Sequence, residues 1–105
     1  MQGETKFKNK VLPILRQIPG SWWVKVQQVT IRGIPDIIGC LNGVFVAWEL
    51  KDIGGSTSKL QEHHLNTINQ AGGWGRVVSP ENFEEELQNL QNLPKLLATR
   101  SQQSA

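Results

Sequence analysis

Asp36, Glu49 and Lys51, within "GIPDIIGCLNGVFVAWELK" (33–51), are the residues of this chain whose types and spacing could do chemistry. Two carboxylates brought together suit Mg²⁺ or Mn²⁺, hard cations that keep several waters and often share a phosphate oxygen. Such an ion stabilises charge on a phosphate and lowers the pKa of a bound water, making a nucleophile. An adjacent ammonium positions that water or neutralises the developing charge.

What could bring these residues together is the Asn42-Gly43 pair between them. Asn-Gly flanked by apolar runs is the strongest short-range hairpin signal and favours a two-residue type I′ turn. With that turn, Leu41 faces Val44, Cys40 faces Phe45, Ile38 faces Ala47, and Asp36 faces Glu49. Facing residues project from one side of a sheet with Cβ atoms roughly 4.5–5.5 Å apart. Lys51, two residues past Glu49, shares that side. The other side (Ile37, Leu41, Val44, Val46, Trp48, Leu50) is apolar throughout, so the hairpin is read as sheet centre covered on both faces, with Cys40 packed inside. The acid pair then lies at the rim of a buried sheet. Opposed like charges are destabilising, the more so when partly buried, unless something positive lies between them. The plainer alternative is a chance Pro-Asp with a surface Glu49–Lys51 ion pair; the register and the apolar surroundings favour the metal site.

The elements that must position the hairpin follow from periodicity. Phe7, Val11, Ile14, Leu15 and Ile18 recur at helical spacing over 4–18 and stop at Pro19-Gly20, with Pro13 expected to break a hydrogen bond near Asn9. The β-branched and aromatic run 22–31 reads as a strand, followed by strands over roughly 34–41 and 44–51. After a loop at 52–58, a helix is expected from Lys59 to about Gln70, then a short strand at "GRVVS". Ser79 as N-cap and Pro80 at the first position open a last helix, which Pro94 ends. The tail from about Ala98 is expected to be disordered, leaving 1–97 as the domain. The order α-β-β-β-α-β-α predicts an α/β fold with a central mixed sheet flanked by helices.

At 105 residues and 38% hydrophobic content, the chain is a single globular domain. No apolar run reaches membrane-spanning length, the start "MQGETKFKNK" lacks a secretory h-region, and the lone Cys40 cannot form an internal disulfide. A cytoplasmic location is therefore expected. Eight of the eleven Lys and Arg lie in residues 1–60, a basic front half compatible with a polyanionic partner.

At "RGIPDIIG", "VAWELK" and, downstream, "SKLQEHHL" with "AGGWGRVV", the sequence resembles the PD-(D/E)XK nuclease superfamily. More narrowly it is similar to the small stand-alone VRR-NUC domains, found in phages and as the nuclease module of larger DNA-repair proteins. With Glu4, the resemblance spans roughly residues 4–79. It implies a restriction-endonuclease-like core that hydrolyses DNA phosphodiesters with Mg²⁺ or Mn²⁺. It makes Asp36 and Glu49 the metal ligands together with the backbone carbonyl of Leu50. Lys51 is then the lysine of the Glu-x-Lys element, Glu4 the acid of the first helix, and Gln61 the supporting glutamine. The small members resemble Holliday-junction resolvases and act as homodimers, which implies branched or flapped DNA as substrate and, if the chain is phage-encoded, the host cytoplasm as its location. His64 departs from the pattern, standing where an aromatic residue often follows the glutamine.

Other residues keep two readings. Glu4 is either a site acid or an acid stabilised by the helix dipole. Ser58-Lys59-Leu60-Gln61 fits a capping box, yet Gln61 shares a helix face with Leu65 and Ile68 that would turn its amide inward. His63 and His64 diverge by about 100° and cannot readily share one ion. Trp48 is assigned to the core; Trp22, Trp23 and Trp74 are candidates for burial, for a dimer interface or for base stacking. Lys6, Lys8, Lys10, Lys25, Arg32 and Lys59 flank the proposed site as phosphate contacts or as solvated surface charges. The expected function is a metal-dependent endodeoxyribonuclease. The alternatives are an inactive DNA-binding or structural module of the same fold, and a nuclease for single-stranded nucleic acid.

Overall fold

The computed structural model describes residues 2–27 and 30–104, and side chains over 6–27 and 30–100. The elements are α1 (Gln2–Leu15), β1 (Ser21–Lys25), β2 (Ile37–Leu41), β3 (Val44–Leu50), α2 (Lys59–Gln70), β4 (Trp74–Val78), α3 (Phe83–Gln91) and α4 (Leu93–Ser104). The fold is α/β. Its strands form one mixed sheet in the order β1-β2-β3-β4, antiparallel except for the β3–β4 pair, which α2 connects.

The hairpin between β2 and β3 follows from its turn. Asn42 and Gly43 take φ values of 49° and 87°, the left-handed conformations of a type I′ turn. Leu41 pairs with Val44, Cys40 with Phe45 and Ile38 with Ala47, the register that a two-residue turn imposes.

The core lies on one face of the sheet. Trp23, Ile37, Leu41, Val46, Trp48 and Leu50 meet Phe7, Val11 and Leu15 of α1, Phe83 and Leu90 of α3, and Leu93 of α4. Burying side chains of this size contributes roughly 1.5–3 kcal/mol each before entropy is counted. Phe83 is the joint between layers, edge-on to Phe7 at 5.6 Å and to Trp48 at 6.2 Å.

The opposite face is not fully covered, contrary to expectation. Among the described residues only α2 packs there, over β3 and β4, with Leu65 buried against the sheet, and none covers the face over β1 and β2. Trp22, Cys40 and Phe45 form one cross-strand row, with Trp22 61% and Phe45 44% exposed, and Cys40 is an exposed thiol rather than a packed one.

Other corrections concern element ends. β1 stops at Lys25; Val26 adds one more ladder bond, from its N–H to the Asp36 carbonyl at 2.8 Å. Thr30 and Ile31 lie outside any strand, and β2 begins only at Ile37, after Gly33 and Pro35. Residues 28 and 29 lie outside the described residues. Ser79 and Pro80 open a turn rather than the helix: Asn82 Oδ1 accepts the Ser79 N–H at 2.8 Å, Asn82 Nδ2 donates to the Val77 carbonyl at 3.0 Å, and α3 starts at Phe83. Pro94 does not end a helix. It stands in the first turn of α4, where its missing N–H interrupts no helical bond, and α4 carries the segment from Ala98, expected to be irregular, on to Ser104.

Candidate metal and nucleic-acid site

The site is built where β3 ends. Asp36 immediately precedes β2, its carbonyl held by β1 and its carboxylate turned towards β3, where Oδ2 accepts the Leu50 N–H at 2.8 Å. Continuing the β2–β3 register two residues past Ile37–Trp48 sets Pro35 against Leu50. Proline has no N–H, so the Leu50 carbonyl receives no ladder donor from that position.

Glu49 comes from the last turn of the same pleat. Its side is opposite to that of Trp48 and Leu50, and it is only 3% exposed. Oε2 accepts the Gln61 Nε2–H at 2.8 Å and lies 3.4 Å from Lys51 Nζ; Oε1 is buried with no hydrogen-bond partner. Burial raises the Glu49 pKa above the usual glutamate range, the Asp36 charge raises it further, and Lys51 and Lys8 act in the opposite sense. A buried carboxylate oxygen without a donor is costly unless a cation meets it.

The donor set fits Mg²⁺ or Mn²⁺ on these grounds. Asp36 and Glu49 bring two carboxylates to one rim, with Glu49 Oε1 buried and without a hydrogen-bond partner, and among the described residues no third His, Cys, Asp or Glu joins them. Magnesium favours such partial protein shells, completed by water and phosphate oxygen.

Gln61 carries out both of the roles open to it. Its backbone N–H donates to Ser58 Oγ at 3.1 Å and its Oε1 accepts the Ser58 N–H at 2.9 Å, closing the capping box; Nε2 remains to hold Glu49. Capping fixes which end of the amide faces the acid. Gly33 joins the preceding loop to this helix: its φ is +80°, and a Cβ there would lie 2.8 Å from Leu60 Cγ. The loop that carries Asp36 and the helix that carries Gln61 are thereby locked together on either side of Glu49.

Lys8, expected as a phosphate contact or a solvated surface charge, lies 3.7 Å from Asp36 Oδ2. Glu4 belongs to α1, but its side chain is outside the described residues. Lys25 joins Lys8 along a cleft of about 280 Å³ beside Asp36, and Arg16, which sequence reasoning missed, joins them. The signal for Arg16 was present in the helical spacing Lys8, Leu12, Arg16. The other basic candidates are not gathered there. Lys10 Nζ lies 5.3 Å from the centre of the Phe83 ring, and Lys6, Arg32 and Lys59 are exposed elsewhere. His64 Nε2 is 3.1 Å from the Arg32 carbonyl, so it ties α2 to the loop and must carry its proton there; His63 stacks edge-on against it. Trp48 and Trp23 are core, whereas Trp74 is half-buried between the guanidinium groups of Arg76 and Arg100.

No family model, curated protein or solved structure matches this chain.

Proposed function

We propose that this protein is a Mg²⁺- or Mn²⁺-dependent endodeoxyribonuclease with a restriction-endonuclease-like core, acting on branched or flapped DNA as a homodimer. The observation that carries the reading is the buried Glu49 carboxylate. One oxygen is held by Gln61 and Lys51, the other is unpartnered, and Asp36 is close enough to oppose its ionisation.

Asp36, Glu49 and the Leu50 carbonyl would hold the metal, which supplies Lewis-acid stabilisation of the phosphate and an acidified water. The remaining work belongs to the chain. Gln61, from α2, fixes Oε2 of Glu49 and leaves Oε1 without a protein donor. Lys51, 20% exposed at its side chain, places an ammonium at the same rim, positioned to orient a water or to neutralise charge on a phosphate oxygen. Lys8 brings a second positive charge to Asp36 from the α1 side. The homodimer is supported by the uncovered row of Trp22, Cys40 and Phe45, an apolar surface on which a second copy can close with two-fold symmetry.

The test is cleavage of labelled four-way junction, flap, linear duplex and single-stranded DNA with Mg²⁺, Mn²⁺ or EDTA, with Lys51→Ala in parallel. Metal-dependent cutting that the variant loses supports the reading. Binding without cutting by either protein would instead favour a DNA-binding module, and preferential cutting of single strands would favour the single-strand nuclease.

A further inference from the structure

The cleft between α1 and the β1–β2 end of the sheet shares Asp36 and Leu50 with the candidate metal site. Its volume, about 280 Å³, lies at the small end of ligand pockets. Its walls divide by chemistry. Lys8, Arg16 and Lys25 supply positive charge, while Leu12 and Pro13 supply an apolar surface. Arg16 is anchored through Nη2, which donates to the Trp23 carbonyl at 3.2 Å, leaving other guanidinium donors for a ligand. Asn9 also lines the cleft, and Pro13 denies its carbonyl the usual helical donor, so a polar acceptor stands beside the apolar wall.

We infer that this cleft holds a single unstacked nucleotide of the substrate strand, next to the phosphate at the Asp36–Glu49 rim. A phosphate alone would leave the Leu12–Pro13 wall uncovered, and an apolar ligand would leave Arg16 and Lys25 without a counter-charge. A nucleotide satisfies both: its phosphate faces Lys8, Arg16 and Lys25, and its base lies on the apolar wall, where flipped bases are commonly held. A base within a paired duplex must first leave its stack to enter, whereas one at a bulge, flap or junction enters at smaller cost. The cleft therefore selects DNA with an unpaired nucleotide beside the cut. The position of the cut rests on the nuclease reading; the binding preference does not.

The experiment measures binding in EDTA, where nothing is cut, by fluorescence anisotropy on a duplex with one unpaired thymidine and on the same duplex fully paired. The wild-type protein is expected to bind the bulged duplex about tenfold more tightly, the scale of burying roughly 55 Å² of base surface on an apolar wall. The preference should vanish in Arg16→Gln/Lys25→Gln, whose two positions are exposed and leave the core untouched. It should vanish as well in Leu12→Trp, which fills the cleft without changing charge. Equal wild-type binding to the two duplexes would overturn the inference, and so would a preference that survives in the double variant. Failure of metal-dependent cutting alongside a retained preference would sink the nuclease reading and leave this inference standing.

Discussion

Gln61 is held at both ends, by Ser58 through its carbonyl oxygen and by Glu49 through its amide nitrogen. The two functions separate by mutation. Ser58→Ala removes one capping acceptor, at a cost of about 1 kcal/mol, and leaves the amide on Glu49. Gln61→Ala loses capping and site support together, so a similar loss of stability should accompany a fall in cutting of about 10–100-fold. Equal activity in the two variants, measured at matched folded fractions, would contradict the role given to the amide. Glu49 makes a second prediction. Because its folded pKa is raised, the metal-free protein binds this proton more tightly folded than unfolded. Stability from this group is therefore fully present below the ordinary glutamate range and is lost as pH rises through the raised value. Urea midpoints in EDTA should show Glu49→Gln gaining on wild type as pH climbs. Mg²⁺ should raise the wild-type midpoint at neutral pH but not that of the variant. At this scale the sequence was legible where local rules reach: the turn at Asn42-Gly43 placed Asp36, Glu49 and Lys51 on one side. Lys8 at Asp36 and Arg16 in the cleft depend on how α1 docks, which no local pattern specifies.

Among the elements, the sheet edge shows where local reading stopped. Arg76 of β4 directs both Nε and Nη2 to Glu86 Oε2 at 3.0 Å, and Asn89 holds the other oxygen at 3.2 Å. Glu86, 1% exposed, was hidden in sequence among three consecutive acids in the first turn of α3, and only the contact with β4 distinguishes it. Arg76→Ala leaves that carboxylate buried without its cation. It should cost about 2–3 kcal/mol in urea unfolding, less than a fully buried pair because the arginine is partly exposed. A change below about 0.5 kcal/mol, the usual range for surface substitutions, would show that Glu86 is relieved some other way. Propensity failed in both directions nearby. β1 ends at Lys25 with one further ladder bond at Val26, and Pro94 starts a helix instead of ending one.

Among the described residues, α1, α3 and α4 gather on one face and α2 alone packs on the other. The sequence made both faces of the hairpin apolar, which was read as burial within one chain. A face that stays open reads the same way when its cover comes from outside the chain, so Cys40 and Phe45 were misplaced for a physical reason. If a second copy provides that cover, Trp22→Ser/Phe45→Ser should sediment as a monomer at micromolar concentration where the wild type sediments as a dimer. A wild-type monomer with full activity would contradict the dimer. The basic residues contact phosphate rather than bases in this account, so binding should weaken steeply with salt.

The central claim is that the Asp36–Glu49 rim cuts DNA with a divalent ion, and cleavage of a labelled four-way junction by wild type and Lys51→Ala tests it most directly. The account predicts cutting with Mg²⁺ or Mn²⁺, none with EDTA, and loss of cutting in a variant that still folds and binds. Binding by both proteins with no cutting of junction, flap, duplex or single strand under any metal condition would contradict it.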